Sequence, residues 1–100
     1  SGRIYFVERE RNRLSYYADG KGVIAATGLE QPGYLQCLPD ESILITEDRK
    51  RRGRLLRYSE RGVEVLARNL HAPQAVIVGS DGAYYLSEQR KKRILRIYRP

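Results

Sequence analysis

The chain has one cysteine, one histidine and one phenylalanine, and no tryptophan or methionine. Cys37 alone excludes an internal disulfide and a cysteine metal cage, and leaves the redox compartment open. Chemistry has few places to start: His71 stands alone, and no Ser or Cys nucleophile has a recognisable partner motif. No stretch approaches the roughly 20 apolar residues of a membrane span, so no membrane partner is expected. The first residues lack an apolar signal-peptide core, and Ser1-Gly2 reads as a cleavage scar. Segments rich in good helix formers are scarce as well.

What the chain does have is tyrosine, positive charge and self-similarity. Eight tyrosines among 41% hydrophobic residues lean towards strands. A formal charge of +7 favours acidic partners over basic ones. Gly28-Leu29-Glu30-Gln31-Pro32 is followed by an apolar run, Pro39-Asp40, a second run ending Ile45-Thr46-Glu47, and a basic cluster. The order then returns: Leu70 matches Leu29, Pro73 matches Pro32, Ser80-Asp81-Gly82 stands in the slot of Pro39-Asp40-Glu41, and Glu88 matches Glu47. A period near forty, with short strands and turn residues at fixed offsets, is the pattern of a β-propeller blade.

Alternation and turn punctuation predict ten strands: 4–7, 14–17, 23–26, 34–38, 43–46, 55–58, 63–67, 75–78, 84–87 and 94–98. With four strands per blade, lettered a to d from the axis outward, the order is b-c-d, a-b-c-d, a-b-c. The expected architecture is all-β: one segment over 1–100, with a partial blade at 3–27, a full blade at 28–68 and a partial blade at 69–100. A blade cannot bury both sheet faces alone, and open sheet edges invite pairing. The expectation is therefore a homo-oligomer, most simply a dimer closing a six-bladed ring, or completion by the remaining blades of a longer chain.

Gly28 to Leu35, Leu38-Pro39-Asp40, Leu44-Ile45-Thr46-Glu47 and Gly53 to Tyr58 resemble a blade of the six-bladed propeller superfamily. That group includes NHL-repeat proteins, gluconolactonase and strictosidine-synthase-like proteins, and quinoprotein sugar dehydrogenases. The resemblance covers residues 3 to 98 and specifies architecture more than activity. Calcium-dependent members carry Asn or Asp directly after the linker proline. Gly33 and Gln74 stand there instead, so the resemblance implies no metal, and no cofactor is expected. Quinoprotein sugar dehydrogenases, where basic residues can hold an acidic quinone, keep an enzyme reading open.

Each copy sets a Glu at the end of strand b and an Arg at the start of strand c: Glu8 with Arg13, Glu47 with Arg54, and Glu88 with Arg93. Their expected role is structural, as cross-strand ion pairs. NHL-type repeats look similar here. The loop interiors differ in character, holding Arg9 and Arg11, then Arg49, Lys50, Arg51 and Arg52, then Arg90, Lys91 and Lys92. In a propeller every b–c loop emerges on the face that carries the d–a linkers, so these charges converge on one surface. They are the candidate site for nucleic acid or another polyanion, a role the resemblance to RNA-binding NHL propellers also implies. His71, in a d–a linker on that face, is the one candidate general base. Cys37 is expected to be a small buried apolar residue. Three readings result: a binding or scaffold propeller with a basic face, part of a propeller enzyme, or a self-assembling segment with a structural role.

Overall fold

The computed structural model describes residues 2–98, as three antiparallel sheets side by side. The first holds β1 (Ile4–Glu8), β2 (Arg13–Ala18) and β3 (Lys21–Ala26). The second holds β4 (Pro32–Cys37), β5 (Ile43–Glu47), β6 (Gly53–Ser59) and β7 (Gly62–Leu70). The third holds β8 (Pro73–Val78), β9 (Tyr84–Glu88) and β10 (Arg93–Ile97). All hydrogen-bonded neighbours are consecutive in the chain, so each sheet is a meander. The only helical segments among the described residues are two 3₁₀ turns, Arg9–Arg11 and Gln89–Lys91, at the tips of the β1–β2 and β9–β10 hairpins. The chain is all-β and built of propeller blades, with one sheet of four strands between two sheets of three.

The sheets pack because their strands alternate. On β5, Leu44 enters one core with Leu55, Leu70, Val76, Tyr84 and Leu86, between the second and third sheets. Its neighbours Ile43 and Ile45 point the other way, into a core with Leu14, Leu29 and Leu56, between the first and second. Period-two placement of apolar residues on both faces is what a strand needs when it has a sheet on each side. Tyr84 is buried, whereas Tyr5 and Tyr58 are half-buried at the edge of the Ile43 core, with ring centroids 6.5 Å apart.

Strand boundaries differ from the sequence pattern at the linkers. β4 and β8 begin at Pro32 and Pro73, and β7 runs on to Leu70. A proline has no N–H to give to a ladder, and the first residue of a strand is where that loss is tolerated. Gly28 and Asn69, which hold equivalent places before the linkers, both have positive φ, 75° and 59°. Asn is among the few non-glycine residues that tolerate this region, so the second linker keeps its geometry without the glycine. One expectation is corrected: Cys37 is exposed, not buried. It ends β4, beside the turn at Pro39-Asp40, and lines an open cleft at that end of the sheets.

Candidate anion-binding face

The b–c hairpins and d–a linkers form one hydrogen-bonded band. In the second sheet the Glu30 N–H donates to Glu47 Oε2 (2.7 Å), and Arg54 Nη2 donates to the same oxygen (2.8 Å) while its Nε meets Oε1. The third sheet repeats this: the His71 N–H donates to Glu88 Oε2 (2.7 Å), and Arg93 Nε to Oε1 (2.6 Å). Each carboxylate thus holds a linker against its own sheet. Burial pushes the Glu88 carboxyl up, but the His71 N–H and the Arg93 guanidinium outweigh it and leave its pKa below the usual value. Glu8 faces no linker among the described residues. It takes Arg13 through Nε (2.6 Å) and Nη2 (3.2 Å), and the Ser15 hydroxyl (2.6 Å). These bonds hold its pKa down.

Linkers are also fastened to the loops on either side. Leu29 N–H donates to the Asn12 carbonyl (3.0 Å), and Gln31 N–H to Asn12 Oδ1 (2.9 Å). Asp48 N–H returns to the Gln31 carbonyl (2.9 Å). Between the second and third sheets, Ala72 N–H donates to the Arg49 carbonyl (2.7 Å), and Gln89 N–H to the Ala72 carbonyl (3.0 Å). A single residue, Ala72, thus bridges the start of the second hairpin loop at Arg49 to the start of the third at Gln89.

The basic residues of this band divide into two groups. Arg9 Nη1 pairs with Asp48 Oδ2 of the next hairpin (3.0 Å), Arg49 pairs with Glu30 of its own linker, and Arg11 Nε lies 4.0 Å from Glu8. Lys50, Arg51, Arg52, Arg90, Lys91 and Lys92 are exposed, and their side chains have no ion pair or hydrogen bond among the described residues. Positive charge on the first hairpin is therefore neutralised locally, and on the second and third it is free. Asp48 and Glu8 do the neutralising on the first, and no periodicity in the sequence signals the long-range pairing of Arg9 with Asp48. Asn12, at φ 53°, is another linchpin that spacing does not reveal.

His71 is half-buried; its backbone N–H is committed to Glu88 and its carbonyl to Arg90 N–H (3.3 Å). Among the described residues no three His, Cys, Asp or Glu side chains are grouped to hold a metal. At the opposite end of the sheets a cleft of about 1040 Å³ has mixed lining charge, with Arg3, Arg57 and Arg61 beside Asp40, Glu41 and Glu60. On the b–c face, by contrast, six exposed cations have no acid paired with them among the described residues.

No family model and no curated protein matches the chain. Among solved structures, it is similar to a catalytically inactive histidine-to-alanine variant of virginiamycin B lyase from Staphylococcus aureus, with quinupristin. The TM-score is 0.72 at 20% identity, over 95% of this chain and 34% of that one. The chain therefore spans about a third of a known β-propeller protein. At that identity the likeness shows the fold alone.

Proposed function

We propose that this chain is a propeller binding module, of the NHL type, whose b–c hairpin face contacts an anionic polymer, with single-stranded RNA as the reference ligand. The observation that carries the reading is that Ala72 bridges the second and third hairpin loops, which bear Lys50, Arg51, Arg52, Arg90, Lys91 and Lys92 without counter-charges among the described residues. Hairpin tips often carry charge for solubility, but tips that need only that have their acids nearby, as the first hairpin does with Glu8 and Asp48. Six free cations on one face raise the local concentration of polyanions and release counterions on binding.

No tyrosine lies within these hairpin tips, so the face has no stacking platform for bases. It would hold a phosphate backbone with little sequence preference. Lyase chemistry is not carried over from the structural neighbour, and among the described residues no hydrogen bond or ion pair engages the His71 side chain.

The test is fluorescence anisotropy of labelled single-stranded RNA across a salt series. Replacing Lys50, Arg51 and Arg52 with Ser should weaken binding and reduce the slope of log affinity against log salt by up to ~0.7 for each phosphate no longer neutralised. Arg49→Ser should change the slope less, because Arg49 is paired with Glu30. Absence of any binding by the unaltered protein at ~50 mM salt, where electrostatic association is strong, would remove the reading.

A further inference from the structure

Three tyrosines gather beside the mixed-charge cleft, where the first and second sheets meet. Tyr5 and Tyr16 are cross-strand partners on β1 and β2, with ring centroids 5.2 Å apart and planes tilted by 50°. Tyr58, on β6, completes the group at 6.5 Å from Tyr5, tilted by 56°. Arg3 lies against it: its guanidinium carbon is 4.3 Å from the Tyr16 ring centroid, and its Nη1 donates to the Tyr5 hydroxyl (3.2 Å). A cation over a ring face is attracted by the ring quadrupole, and a planar guanidinium also stacks on it. Arg3 is exposed and has no ion pair among the described residues, so these two tyrosines are what hold it.

The repeat does not require this group. Three residues after Arg54 and Arg93 stand Arg57 and Arg96, which pair with Asp40 (2.9 Å) and Asp81 (2.7 Å) and tie an a–b turn to strand c. The same count from Arg13 gives Tyr16. Tyr5 likewise stands where the central sheet has Leu44, counting back from Glu8 and Glu47. The first sheet has exchanged an ion pair for an aromatic surface with a cation on it. Tyr16 itself is not part of the cleft lining, whereas Arg3, Tyr5 and Tyr58 are, so the ring face under Arg3 opens to the cleft when Arg3 turns away.

We infer that the three tyrosines and the cleft beside them form a binding site for the guanidinium group of a ligand, and that Arg3 fills this site from within the chain. The charge of the cleft suits the exchange. With Arg3 turned out, Arg57 and Arg61 face Asp40, Glu41 and Glu60, a net negative lining. Arg57 is spent on Asp40, whereas Glu60, exposed on the turn after β6, has no ion pair among the described residues. The Tyr58 phenol is pushed up, chiefly by burial and also by the charge of Glu60, which places that carboxylate near the rings. At about 1040 Å³ the cleft is as large as ligand pockets commonly are, so it has room for more than one side chain. A primary ammonium would gain less here, being a strongly hydrated point charge with no plane to stack. Two sources share the guanidinium chemistry, an arginine of another polypeptide and free arginine. The site lies at the other end of the sheets from the basic hairpins and does not depend on what they bind.

The probe is N-acetyl-arginine amide, titrated into the unaltered protein and into Arg3→Ala while the tyrosine ring signals are followed by NMR. Arg3→Ala changes an exposed side chain and should leave the fold intact. Expected is saturable, millimolar binding to Arg3→Ala, with shifts confined to Tyr5, Tyr16 and Tyr58. The unaltered protein should bind at least about tenfold more weakly, because Arg3 occupies its site. Adding Tyr16→Leu to Arg3→Ala keeps an apolar side chain without the ring and should abolish binding; Tyr58→Leu is the second such variant and should weaken it. Tighter binding of the capped than of free arginine makes a polypeptide the source, and the reverse order makes it the amino acid; both uphold the site. Equal affinity of Arg3→Ala and the unaltered protein overturns Arg3 as the occupant. Equal affinity for N-acetyl-lysine amide overturns the assignment to a guanidinium. Saturable binding that survives both tyrosine substitutions overturns the tyrosine group as the site. No binding by Arg3→Ala at tens of millimolar probe overturns the site altogether and leaves Arg3 as a clasp on Tyr16.

Discussion

The central and flanking sheets hold matching residues in unlike surroundings. Ile43 and Ile4 both stand four residues before the strand-end glutamate, yet they are 1% and 70% exposed. Leu55 and Ile94 both follow the strand-c arginine, and are 0% and 72% exposed. The repeat decides which way a side chain points. A neighbouring sheet decides whether that direction is inside. Every residue of β5 is buried because sheets lie on both its sides; β1 and β10 each have one face covered.

The same contrast governs the latches, and gives the largest expected effect. Glu47→Ala should cost about 3–5 kcal/mol, since it strands the Arg54 guanidinium and the Glu30 N–H beside a buried site. Glu8→Ala removes a more exposed carboxylate with no linker on it, and should lose clearly less. Urea denaturation midpoints measure both. Equal losses would mean that Glu8 is latched in solution after all.

Next come the cores. Ile45→Ala should cost about 2–5 kcal/mol, as truncations in packed cores do, while Ile4→Ala should stay within ~0.5 kcal/mol, as at most surface sites. If Ile4→Ala costs as much as Ile45→Ala, the outer face of the first sheet is covered in solution. Light scattering on the same samples would then report the larger species.

Period-two runs and turn residues make the ten strands and three meanders legible, because alternation and Gly, Pro and Asp at turns act within a few residues of sequence. The Glu–Arg pairing across each hairpin is legible for the same reason, being local in the chain. Linker hydrogen bonds are another matter. The Glu30 and His71 N–H groups reach carboxylates 17 residues away, and Arg9 reaches Asp48 over 39. The Arg9 contact reflects how blades stack, which spacing within one blade does not record. The two linker bonds lie within a blade, but their donors are backbone N–H groups, which no pattern of side chains marks. The basic loops are legible as charge, but their division into paired and free cations depends on how the hairpins meet in space. Cys37 reads as a core residue in sequence because its run is apolar; it is exposed because it opens into the cleft at that end of the sheets.

A smaller effect is expected where the central and third sheets touch through backbone. A Cβ on Gly53 would collide with the Pro73 ring and come within 2.7 Å of the Glu47 carbonyl. Gly53→Ala should therefore cost about 1–3 kcal/mol, the range for overpacking. Gly20, at a hairpin turn of the first sheet, has open space around its Cβ position, so Gly20→Ala carries only the strain of its φ of 75°. Thermal melts of the two variants separate crowding between sheets from strain within a turn. A milder Gly53→Ala than Gly20→Ala would show that the Pro73 ring yields.

The smallest effect concerns acid. In the central sheet Asp40 accepts from the Ser42 hydroxyl (2.5 Å), the Ser42 N–H (3.0 Å) and Arg57 Nη2 (2.9 Å), which together hold its pKa down at about 2. In the third sheet Asp81 takes the Tyr85 hydroxyl (2.7 Å), the Ala83 N–H (3.1 Å) and Arg96 Nη2 (2.7 Å), and is also lowered. A carboxyl whose folded pKa lies below its unfolded value of ~3.9 binds fewer protons when folded in the window between the two. Its stabilising contribution is complete above that window and disappears as pH falls through it. Asp40→Asn should accordingly be less stable than the unaltered protein at pH 6, with the gap narrowing from about pH 4 towards pH 2. Asp81→Asn should show the same sign. Both turns are solvent-exposed, so added salt should shrink the part of the gap that comes from Arg57 and Arg96, and leave the part from the hydroxyl and backbone donors. A gap that stays constant from pH 6 to pH 2 would mean that Asp40 acts through the shape of its turn and not through its charge.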